Sequence, residues 1–187
     1  LHTFFLGRRH IGRRIERVIP DMAADEALTP YSMGAIIARL MPDDAIVCDD
    51  SITAGPGLQR HLPHGPVHDW LALTGGAIGD AMPMAVGASL AAPDRKVIAV
   101  SGDGFYMFGT PVHALWAARH YKAPFMAVVY QNRSYSTGTL RINSVYGATD
   151  SYAAKANYDG GYFDPPIDFA KEAEAAGAYG ENVTDSA

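Results

Sequence analysis

The sequence predicts an α/β domain built on an open parallel sheet with helices on both faces. The first observation is a strand, helix and strand unit within residues 95–132. The second is that four short apolar runs each end in a glycine-rich or polar turn, as parallel strands buried on both faces do. The third is length, since 187 residues are enough for one domain that buries roughly 70% of its unfolded surface.

The central unit begins with an apolar, β-branched strand over residues 96–101, which ends in the Gly-Asp-Gly triplet 102–104. A helix is predicted after this turn. Thr110 can cap it, and Pro111 suits its first position, where a backbone N–H would have no helical partner. Pro124 ends the helix.

A second apolar strand over residues 125–130 completes the unit and ends at Gln131-Asn132. The connection between two parallel strands is right-handed, so Asp103 and Asn132 are expected at the same carboxyl edge of the sheet. Open α/β sheets bind their ligands at that edge.

Before the central unit, Thr29-Pro30 is predicted to open a helix that runs to Leu40. A strand over residues 45–48 then ends in Asp49-Asp50, and residues 51–57, which are small and hydroxylic, are expected to form a loop.

The next strand is predicted over residues 70–74 and leads into the glycine turn 75–79. A helix of small residues should follow over 81–91, with Gly87 allowing close packing. After the central unit, residues 133–166 show little periodicity. A last helix is expected over residues 168–176, with Gly177 as its C-cap.

Composition excludes several classes of protein. The net charge of −5 is dispersed, and no basic stripe with interleaved aromatic residues indicates nucleic acid as the main partner. No apolar run approaches the roughly 20 residues that span a bilayer, so no membrane is expected. The single Cys48 rules out a disulfide framework and favours a cytoplasmic protein.

The domain boundaries are predicted from the first helix onward. Residues 1–28, which include a run of arginines, are interpreted as a linker or the tail of a preceding domain, and residues 29–187 as one ligand-binding domain. The domain is expected to be incomplete at its C-terminal end.

The turns at the four strand ends favour a phosphate-bearing ligand. Glycines let backbone N–H groups approach an anion closely, and helix N-termini add partial positive charge. Mg²⁺ prefers oxygen ligands, and Asp103, the Asn132 amide oxygen and a nearby carbonyl could supply half of its shell. The alternative is that Asp103 only caps the next turn and that Asn132 only ends a strand.

Residues 29–183 resemble the C-terminal, diphosphate-binding domain of thiamine-diphosphate-dependent enzymes. The resemblance rests on the turn GGAIG at 75–79 followed by Pro83, on the triplet GDG, and on QNRSYS at 131–136, in family order. It is strongest to the acetolactate synthase and benzoylformate decarboxylase branch. It implies the thiamine-diphosphate-binding fold, with thiamine diphosphate and Mg²⁺ or Ca²⁺ as cofactors.

The resemblance also implies roles for single residues. The metal ligands would be Asp103, Asn132 and the backbone oxygen of Ser134. The carbonyl of Gly76 would accept a hydrogen bond from the aminopyrimidine, and Ile78 would be the apolar wedge that holds the cofactor bent. The remaining cofactor-binding positions that it implies are Ile52, Thr53, Gly102, Gly104, Phe105, Tyr135 and Ser136.

Three features depart from the family pattern. Phe105 stands where a serine is common, and Asp80 where many relatives carry an apolar or amide residue. The spacing from Asp103 to Asn132 is slightly long, which suggests an insertion over residues 108–111. The glutamate that activates the cofactor belongs to a separate pyrimidine domain in this family, so no catalytic residue is assigned here.

The implied function is decarboxylation of a 2-oxo acid, or making or breaking a carbon–carbon bond next to a carbonyl, with a 2-oxo acid or 2-hydroxy ketone as substrate. The implied partner is the pyrimidine domain of the same or a second chain, in a homodimer or homotetramer. This chain alone is expected to turn over poorly.

Two other functions remain open: a non-catalytic or degenerate cofactor-binding module, and another nucleotide-binding α/β enzyme such as a dehydrogenase.

Several side chains also have two possible interpretations. His61, His64 and His68 have zinc-like spacing but are favoured as loop residues, and His113 and His120 are favoured as packed or surface residues. Residues 106–108 are favoured as part of the hydrophobic core over a substrate pocket. The aromatic residues of the segment after the central unit could form either a lid over the site or a packed surface loop; these are Tyr146, Tyr152, Tyr158, Tyr162 and Phe163.

Overall fold

A computed structural model describes residues 28–149 and 151–184 of the chain. The sheet in this part has four parallel strands in the order β2-β1-β3-β4. The strands are β1 (Ala45–Asp50), β2 (His68–Ala72), β3 (Val97–Gly102) and β4 (Met126–Tyr130). The predicted linker falls outside the described residues except for Leu28.

Eight α-helices are assigned within the described residues. They are α1 (Pro30–Leu40), α2 (Gly55–His61), α3 (Ala81–Ala91), α4 (Asp103–Phe108), α5 (Pro111–Tyr121), α6 (Ser136–Tyr146), α7 (Tyr152–Lys155) and α8 (Phe169–Ala175). None of the helices described is long and apolar enough to cross a membrane.

The strand order creates a switch point between β1 and β3. The chain leaves β1 through α2 to reach β2 on one side, then returns through α3 to β3 on the other side. The connection that leaves β3 runs through α4 and α5 to β4, away from the one that leaves β1 toward β2. Because connections leave these neighbouring strands in opposite directions, a crevice opens at their carboxyl ends. In register, Asp50 pairs with Ser101 and Gly102 with Tyr130, which brings three strand ends together.

Two hydrophobic clusters cover the two faces of the sheet, as predicted. Val47 of β1 packs with Leu58 of α2 in one cluster. Its neighbour Cys48 packs with Ala85 of α3 and Ala114 of α5 in the other. Successive residues of a strand point to opposite faces, so the continuous apolar run of β1 is explained by helices on both sides.

Residues 51–57 do not form only a loop, as predicted, because α2 begins at Gly55. Glycines at two of its first three positions give a weak helical signal, and tertiary packing overrides it. Gly34 of α1 and Gly57 of α2 lie so close that a Cβ on Gly57 would be 2.2 Å from the Pro30 carbonyl oxygen. The strand predicted over residues 70–74 is also displaced, to His68–Ala72.

The segment after β4 contains α6, which the sequence pattern did not indicate. None of its residues is buried, so it lacks the apolar periodicity by which helices are recognised.

The Gly-Asp-Gly triplet, which was predicted as a turn, also contains the start of a helix, since Asp103 begins α4. The close packing expected at Gly87 is wrong, because a Cβ there meets nothing within 4 Å.

Replacing Gly57 with alanine should destabilise the fold by about 1–3 kcal/mol, because the new methyl group must push α2 away from α1. Gly87→Ala is the matched control, a helical glycine with open space around it, and it should raise stability by up to about 1 kcal/mol. Urea unfolding of both variants measures the free energies. Equal effects of the two substitutions would show that the contact between α1 and α2 is not tight.

Candidate cofactor and metal site

Asp103 links two neighbouring strand ends through its carboxylate. The residue is 1% exposed at the start of α4. Its Oδ1 accepts a hydrogen bond from the Gly104 N–H at 2.8 Å, and its Oδ2 accepts one from the Arg133 N–H at 2.5 Å. The end of β3 is therefore fastened to the loop that follows β4, as the predicted crossover requires.

The environment of Asp103 acts on its pKa in two directions. Burial raises the pKa of the carboxyl above its ordinary value, and backbone N–H groups from Arg133, Gly104, Ser134 and Asn132 oppose the rise. Each of these dipoles favours the carboxylate form, and a cation against the carboxylate would favour it further.

The loop after β4 presents a series of oxygen atoms next to Asp103. Asn132 Oδ1 accepts hydrogen bonds from the Ser134 N–H at 2.9 Å and the Ser134 hydroxyl at 3.0 Å. The Ser134 hydroxyl also lies 2.6 Å from Ser136 Oγ. Rotation of that hydroxyl toward Ser136 frees one acceptor position on Asn132 Oδ1.

These groups fit a hard divalent cation. Of the four backbone N–H groups around Asp103, those of Gly104 and Arg133 form hydrogen bonds of 2.8 and 2.5 Å. A carboxylate has about four lone-pair sites, so acceptor capacity remains, and the Asn132 amide adds a neutral oxygen. Among the described residues, no three His, Cys, Asp or Glu side chains are close enough to hold a metal ion. The zinc interpretation of His61, His64 and His68 is therefore wrong. The loop interpretation is wrong as well, because His61 ends α2, His64 ends a short 3-10 helix and His68 begins β2.

Tyr135 covers the Gly-Asp-Gly triplet. A Cβ on Gly104 would lie 2.7 Å from Tyr135 Cδ1, so only glycine leaves room for the ring. The ring packs edge to face on Phe163 at a centroid distance of 4.8 Å. Its backbone N–H donates to the Gly161 carbonyl at 2.9 Å, so the loop at 132–136 is braced by residues 161–163.

The loop after β1 lies beside the same triplet. Asp49 Oδ1 accepts hydrogen bonds from the Ser51 N–H at 2.9 Å and the Ser51 hydroxyl at 2.5 Å. The carbonyl oxygen of Ser51 is the nearest group to a Cβ placed on Gly102, at 3.9 Å. The next residues, Ile52 and Thr53, are exposed, and Ile52 has a φ of 31°.

The glycine turn 75–79 is anchored at one end and open at the other. Gly79, with φ +87°, lies so close to Gly109 that a Cβ would be 2.4 Å from the Gly109 Cα. Gly75 and Gly76 also have positive φ, but a Cβ on either meets nothing within 4 Å. Ile78, which lies between Gly76 and Gly79 in sequence, is half-buried.

The predicted site residues thus fall on three loops that converge at Asp103 and α4. The loop that contains residues 52–53 reaches the triplet where Ser51 lies near Gly102. The glycine turn reaches the end of α4 where Gly79 contacts Gly109. The loop 132–136 contacts Asp103 through the Arg133 N–H and Gly104 through the Tyr135 ring. Asp49 was missed by sequence reasoning. An acidic residue two positions before a serine is the signal of a side-chain-capped turn and could have indicated its role.

Several other side chains lie outside this arrangement. Tyr106 is buried and packs on Phe169 at 5.0 Å, so it belongs to the core, as the sequence favoured. Phe108 is 61% exposed, so the core prediction is wrong for that residue. His113 and His120 are exposed, and His120 stacks on Trp116. A groove of about 520 Å³ between α5 and α8 includes none of the predicted site residues.

The aromatic residues after β4 divide into two groups. Tyr162 and Phe163 pack as part of the loop, since Tyr162 forms a strand bridge with Ser134 and Phe163 contacts Tyr135. Tyr158 donates a hydrogen bond to Asn143 of α6. Tyr146 and Tyr152 are instead largely exposed, at 70% and 89%.

Comparison with known protein families identifies the family of this chain. Residues 56–187 match the family described as thiamine pyrophosphate enzyme, C-terminal TPP binding domain. The chain belongs to this family. The expected fold, branch of relatives and thiamine diphosphate cofactor are confirmed, and the alternative of a dehydrogenase is wrong.

Individual relatives agree with the family assignment. A Mycobacterium tuberculosis protein provisionally named acetolactate synthase large subunit IlvX is 38% identical over 84% of this chain and 30% of its own length. Benzoylformate decarboxylase of Pseudomonas aeruginosa is 32% identical over 65% of this chain and 23% of its own.

A solved structure shares the fold. The thiamine diphosphate-dependent 4-hydroxybenzoylformate decarboxylase of Rhodococcus jostii RHA1 matches with a TM-score of 0.71 and 28% identity, over 87% of this chain and 29% of that chain. The chain thus spans less than a third of the length of these relatives.

Replacing Gly104 with alanine should displace the Tyr135 ring and cost about 1–2 kcal/mol of stability, because the ring is held from behind by Phe163. Gly102→Ala is the matched control in the same triplet, since its φ of −78° suits alanine and the nearest atom to its Cβ is 3.9 Å away. Urea unfolding compares the two variants. A loss at position 102 as large as at 104 would contradict the tight contact.

Proposed function

We propose that this chain is the cofactor-binding part of an enzyme that decarboxylates 2-oxo acids, or makes or breaks carbon–carbon bonds next to a carbonyl. The observation that carries the proposal is the link from Asp103 to the Arg133 N–H. It sets a buried carboxylate beside the Asn132 amide at the carboxyl edge of the sheet, in a chain of the thiamine-diphosphate-binding family.

The proposed metal ligands are Asp103, Asn132 and the backbone oxygen of Ser134, with Mg²⁺ or Ca²⁺ as the ion. The cation would neutralise a diphosphate lying along the Gly-Asp-Gly triplet. Phe105 replaces a serine common in relatives, but its backbone N–H lies in the first turn of α4, where N–H groups have no helical partner. Tyr135 and Ser136 would close over this end of the cofactor.

The other end of the cofactor would lie against the glycine turn and the loop after β1. The Gly76 carbonyl would accept from the aminopyrimidine, and Ile52 and Thr53 would contact the diphosphate from β1. Ile78 would hold the two rings bent toward each other. Bound thiamine diphosphate supplies the electron sink for carbon–carbon cleavage, and the protein supplies orientation and charge.

A complete active site would require the pyrimidine domain of the same or a second chain, with its glutamate, in a homodimer or homotetramer. The exposed apolar residues next to the site support such a contact. Helix α6 buries none of its residues, and Leu140 and Val145 are 61% and 64% exposed. The proposal places residues 29–187 in the cofactor domain, residues 1–28 in a linker, and the enzyme in the cytoplasm.

A second candidate is a cofactor-binding module without turnover. Phe105 favours it, because the serine hydroxyl common at this position is absent. The two candidates share the cofactor and differ only in catalysis, so binding and turnover must be measured separately.

Asp103→Ala should abolish Mg²⁺-dependent binding of thiamine diphosphate, because it removes the only charged ligand of the proposed set. Asp94→Ala is the control. It removes one carboxylate from the exposed turn at the opposite end of β3 and should bind as the unchanged protein does. Isothermal titration with thiamine diphosphate, with and without MgCl₂, measures both, and circular dichroism verifies the fold.

Unchanged affinity in Asp103→Ala would overturn the metal assignment. Release of CO₂ from a panel of 2-oxo acids then distinguishes the two candidates. Turnover supports the enzyme, and Mg²⁺-dependent binding without turnover in the complete assembly supports the module.

A further inference from the structure

Asp50 is a buried carboxyl that the proposed site does not use. It is the last residue of β1 and is 1% exposed. Its Oδ2 accepts a hydrogen bond from the Ala81 N–H at 3.2 Å. Its Oδ1 is buried without a hydrogen-bond partner. A buried acceptor without a partner destabilises the fold, so the presence of a carboxyl at this position calls for an explanation.

The hydrogen bond to Ala81 satisfies a group that the local sequence leaves unpaired. Ala81 is the first residue of α3, and the first N–H groups of a helix have no partner within it. The residue at the N-cap position, Asp80, has helical dihedral angles and makes no capping hydrogen bond. Asp50, which is 31 residues away in sequence, takes the place of that cap.

The same contact fixes one end of the glycine turn. Gly79 is packed against the Gly109 backbone on one side, and the next two residues lead to the Ala81 N–H held by Asp50. Burial raises the Asp50 pKa, and the groups that oppose this rise are the Ser101 hydroxyl, the Ala81 N–H and, least of all, the Gly79 N–H. Gly75 and Gly76, by contrast, have no close neighbours.

We propose that Asp50 is a positioning residue that caps α3 from the end of β1 and so fixes where the glycine turn presents Gly76 and Ile78. The part that concerns Gly76 and Ile78 rests on the proposed function. The contact also joins the end of β1 to the start of α3.

The role requires a hydrogen-bond acceptor and not a charge. An asparagine has nearly the same shape, keeps one oxygen for the Ala81 N–H, and can donate its amide to the Ser101 hydroxyl, which acts on the Asp50 carboxyl. A leucine fills the same space but offers no acceptor. The structure therefore predicts rescue by asparagine and loss with leucine.

The test compares Asp50→Asn, Asp50→Leu and the unchanged protein by amide hydrogen exchange without cofactor and by titration with thiamine diphosphate and MgCl₂. In Asp50→Leu, exchange at Gly79 and Ala81 should accelerate at least about tenfold, and the cofactor should bind about five- to tenfold more weakly, as expected for one lost buried hydrogen bond. Asp50→Asn should stay within about twofold in both.

Ser89→Ala is the matched control, because Ser89 is a buried polar residue of α3 whose hydroxyl bonds to the Pro124 carbonyl. It should destabilise the helix without accelerating exchange at Gly79 or Ala81. If Asp50→Leu does not fold, Asp50→Ser replaces it, since its hydroxyl is too short to reach Ala81.

Loss in Asp50→Asn as large as in Asp50→Leu would overturn the proposal, because it would show that the charge is needed. Unchanged exchange in Asp50→Leu would overturn it as well. If the unchanged protein does not bind thiamine diphosphate, the proposed function fails, and exchange at Gly79 and Ala81 still decides whether Asp50 caps α3.

Discussion

The hydrogen bond from the Arg133 N–H to the Asp103 carboxylate is the contact on which the site depends. It joins the residue after β3 to the loop after β4, two segments that are separated by 30 positions in sequence. Backbone dipoles hold a buried carboxylate in place and oppose the cost of burying it. The same loop holds Asn132 and Ser134, whose backbone N–H groups also act on the carboxylate.

Glycines set how closely the other loops approach this carboxylate. Gly104 leaves space for the Tyr135 ring, and the pair Gly79 and Gly109 allows two backbones to touch. The strand order places these contacts at the point where connections leave β1 and β3 in opposite directions.

The short-range signals of the sequence were sufficient for most of the framework. Proline at a first helical position marked α1 and α5, and apolar β-branched runs ending at glycine or asparagine marked β3 and β4. Helices α2 and α6 could not be predicted in the same way. The first consists partly of glycine and is helical because it packs on α1, and the second buries nothing, so it has no apolar stripe.

The sequence by itself determined the fold class and that Asp103 and Asn132 lie at the same edge of the sheet, because parallel strands joined by a right-handed crossover end at one edge. Only the tertiary structure decided which loops support that pair. The cap that Asp50 provides for α3 and the position of Tyr135 over Gly104 both join residues 31 positions apart. Such contacts depend on how elements pack and leave no local pattern in the chain.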